Sequence, residues 1–284
     1  MASPRHSPNG ERTMNYPDCQ YSHVAWIRKD SATFKALSAG LSKKETAPAA
    51  ATAFLTALNS AHQDFKNKLE PGANLTALLG AYQDKTGIIS TREYSLPDIP
   101  GNPSDPDSGF ISDLIGGIAG ALVTEIGVGI SLYTLAQDLI AMFDIKLHLQ
   151  GVLFNNAATD LSEIYFHFGP NGQPNILPLS TTLPPAKAIM NPIDKKNYDC
   201  VPFTFFGGIG FLSLEGFYIT MKAQRQRSEE ISVYCEYYAG YRGIAPGDHE
   251  RHPPLEDVFY TRSVTGVMVE NTANPNGIAM IVCE

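Results

Sequence analysis

The chain has 284 residues, 43% hydrophobic and 18% charged, with a net charge of −8. That supplies a sizeable core and fits one large domain or two modest ones. The acidic balance argues against a nucleic-acid-binding face and does not favour anionic lipid, but it leaves a zwitterionic or neutral partner such as a choline lipid or a glycan unpenalised.

Residues 1–30 are rich in Pro, Ser, Asn and Arg and read as a flexible tail. They contain no apolar h-region of a secretory signal, so a soluble protein is expected, cytoplasmic or released to act at target membranes. Residues 31–96 read as helical. Ser31 is placed to cap a short helix through Leu41. A longer helix is expected from Pro48 to Leu69, with Phe54, Leu58 and Phe65 on one face, ended by Pro71-Gly72. Leu75, Leu78, Leu79 and Tyr82 mark a third helix stopping near Gly87. Residues 97–109, with four prolines and two glycines, read as a linker.

The stretch 110–143 is the most apolar part of the chain. Ile111, Ile115, Ile118, Leu122 and Ile126 recur at spacings of three and four, one stripe of a helix. Gly116, Gly117, Gly120, Gly127 and Gly129 oppose a rigid soluble helix, because each costs about 1 kcal/mol relative to Ala. Its longest uncharged run, Ile126 to Gln137, is shorter than the roughly 20 residues a permanent span requires. Three readings stay open: a buried helix pair broken at Gly127 to Gly129, an amphipathic segment that leaves the fold to enter a bilayer, and an anchor or oligomer interface.

After Phe143 the period changes to two. Ile145 to Leu149, Ile164 to Phe168, Ala186 to Met190, Val201 to Phe206, either Phe211 to Leu214 or Phe217 to Met221, Ile231 to Tyr238 and Val258 to Arg262 read as strands. A hairpin from Ser263–Glu270 to Ile278–Cys283 follows. The fold class expected is α+β, with an N-terminal helical segment and then an antiparallel β-sandwich of about seven to nine strands over residues 144–284.

Signals of catalysis are poor. The chain lacks a phosphate-binding G-x-x-x-x-G-K-[ST] loop and a G-x-S-x-G elbow. His249-Glu250-Arg251-His252 is one residue short of a zinc-binding H-E-x-x-H and sits beside prolines. The four cysteines have no metal spacing. No enzyme activity, metal or cofactor is expected. The informative polar segment is aromatic, with Tyr234, Tyr237, Tyr238, Tyr241 and Arg242 in VYCEYYAGYRG. Tyrosine faces hold quaternary ammonium groups by cation–π attraction and also stack on sugar rings. Alternating tyrosines are equally ordinary strand formers, half of them in the core.

Glu236-Tyr237-Tyr238, then Tyr241-Arg242-Gly243, His249-Glu250 and the final hairpin resemble the tyrosine-rich segment and last strands of actinoporin-like pore-forming proteins and fungal fruit-body lectins. The resemblance covers residues 110 to 284 and implies a β-sandwich that binds a phosphocholine headgroup through tyrosines and inserts a helix into an oligomeric pore. It would make Tyr237 and Tyr238 headgroup residues and residues 110–126 the inserting helix. Residues 1–109 have no counterpart in the short toxins. A membrane-active pore-former that oligomerises is the first expectation. A soluble lectin-like module and a self-assembling β-sandwich protein are the alternatives.

Overall fold

The computed structural model describes residues 20–22, 24–70, 73–91, 148–169, 172–178, 180–210, 217–225, 229–238, 241–271 and 276–284. The 110–143 stretch, with Ile111, Ile115, Ile118, Leu122 and Ile126, and the linker 97–109 lie outside the described residues.

Two short strands, β1 (Gln20–Ser22) and β2 (Ala25–Arg28), arise in what reads as tail. Helices α1 (Ala32–Leu41), α2 (Ala47–Lys68) and α3 (Leu75–Thr86) follow at the expected places, and β3 (Ile88–Thr91) closes the segment. The capping residues explain the boundaries. Ser31 accepts from the Phe34 amide at 3.2 Å and Asn74 from the Ala77 amide at 3.1 Å. Gly87 ends α3 in the left-handed region at φ 79°, where a side chain is costly.

The remaining strands are β4 (His148–Asn155), β5 (Leu161–Phe168), β6 (Gly172–Pro178), β7 (Lys187–Met190), β8 (Asn197–Gly210), β9 (Phe217–Arg225), β10 (Glu230–Tyr238), β11 (Tyr241–Pro246), β12 (Val258–Tyr260), β13 (Val264–Asn271) and β14 (Asn276–Cys283). They form two sheets. The larger, of ten strands, runs β1-β6-β8-β4-β14-β13-β12, with β2, β3 and β7 attached through β8 and β2. It is mixed: β1 lies parallel to β6 and β14 parallel to β4. The smaller sheet, β11-β10-β9-β5, is antiparallel throughout.

The result is α+β in three layers, with the helices on one face of the large sheet and the small sheet on the other. Strand alternation divides the core in two. Val152, Phe154, Ile278, Met280 and Val282 face the helices and join Phe34, Phe54 and Leu79. Leu149, Leu153, Ala279 and Ile281 face the small sheet and join Ile219, Met221 and Val233. All eight residues of β14 are buried, which is why it reads as a continuous apolar run instead of an alternation. The helical region and the β-rich region therefore share one core. A reciprocal amide pair ties them again: Asn191 Nδ2 donates to Gln83 at 3.0 Å and Gln83 Nε2 returns the bond at 3.3 Å.

Candidate functional site

The five residues of the tyrosine-rich segment do not share a face. Residues of β10 alternate between the interior and the outer surface of the small sheet. Val233, Cys235 and Tyr237 point inward, and Tyr237 packs with Phe217 at 6.0 Å, 5% exposed. Arg242, opposite Tyr237 in the β10–β11 ladder, donates to Glu270 of β13 at 2.9 Å and so bridges the two sheets. Tyr234 belongs to the outer face, as does Glu236, whose carboxylate accepts from the Tyr234 phenol at 2.8 Å. Tyr241 is 52% exposed. Tyr238 pairs with Tyr241 at the end of the ladder.

Around Tyr234 the structure gathers residues that are distant in sequence. The register sets His167 of β5 and Tyr234 of β10 on either side of Thr220 in β9. Tyr218, two residues before Thr220, lies 5.6 Å from the Tyr234 ring. The β11–β12 loop then folds back over the sheet. Gly243 permits this, since a Cβ there would collide with Leu255 of that loop. The loop carries a short 3-10 turn, His249–Arg251, and lays the His249 ring on Tyr218 at 4.5 Å and 18°. His249 also stacks on His167 at 5.6 Å and 11°. Tyr165, two residues from His167 on the same strand face, is 50% exposed.

The outer face is thus a patch of flat rings, with Tyr234 beneath and Tyr165, His167, Tyr218, Tyr241 and His249 open to different degrees. Burial pushes the Tyr218 phenol up, and burial and then Glu236 push Tyr234 up further. Both remain neutral, unsuited to act as nucleophiles, and Tyr234 is buried beneath the outer rings. Thr220 Oγ1 and Asp248 Oδ1 are buried without a hydrogen-bond partner, out of reach of a molecule on the surface. The exposed ring faces of Tyr165 and Tyr241 suit stacking on a polyol ring or an organic cation. Among the described residues, no group of three His, Cys, Asp or Glu side chains converges as a metal site. The three described cysteines are buried free thiols, with Cys200 and Cys283 pushed up to about 12 by burial.

Sequence reasoning missed Tyr165, His167, Tyr218, Thr220 and His249 as parts of one patch. Tyr165 and His167 show a two-residue period within β5, a signal that existed. The partnership with His249 depends on the loop folding back and has no local signature. No protein-family model matches the chain, and no curated protein matches it either.

Proposed function

We propose that the protein is membrane-active and pore-forming, recognising a lipid headgroup through the outer aromatic face of the small sheet and inserting residues 110–143 after oligomerisation. The observation that carries this reading is the placement of Tyr165, His167, Tyr218, Tyr241 and His249 outside the core, on the outer face of the small sheet. Headgroup contact there would hold the chain at the surface. Burial of the Ile111, Ile115, Ile118, Leu122 and Ile126 stripe would then drive insertion, at about 25 cal/mol per Å². Asp113 and Glu125 are costly in lipid and favour an assembly that turns them toward a wet lumen.

Dye release and pelleting with liposomes, with and without sphingomyelin, test the reading on the full chain. Ile118→Asp is expected to abolish release and leave pelleting intact. Tyr218→Ala is expected to weaken pelleting about tenfold by removing the central ring of the stack. Absence of both pelleting and release with every lipid mixture overturns the proposal. A lectin-like module is the second reading, favoured by the exposed Tyr165 and Tyr241 rings, flat faces on which a sugar can stack. Glycan binding that Tyr218→Ala removes, without any lipid response, supports it.

A further inference from the structure

We propose that the cleft between the α1–α2 turn and the β11–β12 loop is a second binding site, for an organic ammonium carried on an apolar body, with the Lys44 side chain as its built-in stand-in. The cleft has a volume of about 410 Å³, inside the usual range for small-molecule sites of roughly 300–1,000 Å³. Its apolar walls are Ile244, Pro246, Pro253, Pro254, Val258 and Phe259. Lys44, Glu256 and Tyr260 complete the lining.

The Lys44 ammonium rests on the Glu256 carboxylate, so the cleft already accommodates a primary ammonium. The two partners are anchored differently. Glu256 is pinned by paired backbone bonds to Ile244, at 2.9 Å and 3.2 Å. Lys44 sits on the turn between α1 and α2, and its side chain is more than half exposed. An exposed ion pair contributes little, because water competes for both ions. A ligand that brings its own ammonium to Glu256 therefore forfeits little by displacing Lys44, and gains the burial of its body against the prolines.

Two features hold the walls in place. The Tyr260 phenol donates to the Leu41 carbonyl at 2.8 Å, fixing a 43% exposed ring whose face can meet a cation. His252 stands in the left-handed region at φ 42°, directly before the Pro253-Pro254 wall. Such strain persists only where its surroundings impose it, and the two prolines stiffen the segment further. The site shares β11 and the β11–β12 loop with the outer aromatic face and does not rest on the membrane reading.

Phenethylammonium, titrated into the full chain without lipid and followed by calorimetry, tests the proposal against its neutral isostere 2-phenylethanol. The amine is expected to bind about threefold to fivefold more tightly than the alcohol, and Glu256→Gln to remove that preference. Lys44→Met is expected to tighten amine binding about fivefold, since it deletes the competing cation. A misfolded variant cannot mimic that gain. Equal binding of amine and alcohol, no binding of the amine, or Lys44→Met without tightening overturns the proposal.

Discussion

His62 lies fully buried in the helical layer, stacked on Tyr82 at 5.1 Å with its Nδ1 lacking a hydrogen-bond partner. Burial pushes its pKa down to about 3. In the unfolded chain an imidazole titrates near 6.5, so below that pH the unfolded state takes up a proton that the folded state refuses. Stability from this residue is complete above about pH 6.5 and falls by about 1.4 kcal/mol per pH unit down to about pH 3. Urea unfolding at pH 7 and pH 5 is expected to show His62→Phe gaining about 2 kcal/mol relative to the parent over that interval. A difference that does not change with pH rules out a buried neutral imidazole. Position along a strand matters as much for the tyrosines. Tyr234 and Tyr237 read alike in the sequence, yet three positions of alternation put one on the outer face and the other between the sheets. Only the pairing with β9 fixes which is which.

At the scale of elements, legibility follows the strength of local chemistry. Helices α1 and α3 were readable because a 3.6-residue period coincides with Ser31 and Gly87 at their ends, and α2 because the same period runs up to Pro71-Gly72. Gly87 links two of those signals, since a Cβ there would lie 2.4 Å from the Ser31 side chain that caps α1. Gly87→Ala is expected to cost about 2–3 kcal/mol, combining a left-handed residue with a displaced cap. Ser31→Ala alone should cost about 1 kcal/mol. Equal losses for the two variants in chemical denaturation contradict that arrangement. The strands that escaped notice lack such support. β6 contains Pro174 and Pro178 yet is paired on both sides, with a register shift between Pro174 and Ile176 absorbing the missing donor. β11 passes through Gly243, which reads as loop until the returning chain that needs the space is seen. β1, β2 and β3 are three or four residues long, too short to display a period.

For the whole molecule, the class of fold was legible and its layering was not. The change of period near residue 144 announces helices followed by strands. Nothing local announces that β14 lies beside β4 in parallel, or that the helices cover one face of the sheet. Phe154 marks the junction, meeting Phe34 at 6.2 Å, Phe54 at 5.8 Å and Phe203 at 5.2 Å. Phe154→Ala is expected to cost about 3–5 kcal/mol, a large share of a typical domain's stability. Helix and sheet signals should still disappear in one transition, because both belong to the same core. Separate midpoints for far-ultraviolet and near-ultraviolet dichroism contradict a shared core.

The same layering sets an order of events on the ribosome. Residues 32–86 emerge early and form their helices from local contacts, but the floor they rest on is built from β4, β8 and β14, far along the chain. Until β14 inserts between β4 and β13, the apolar face of the helical layer has no partner. Pairings of such sequence separation form slowly, and the waiting intermediate exposes the surface on which chaperones act and aggregates grow. Yield of folded protein should therefore depend on how quickly translation delivers the last strand.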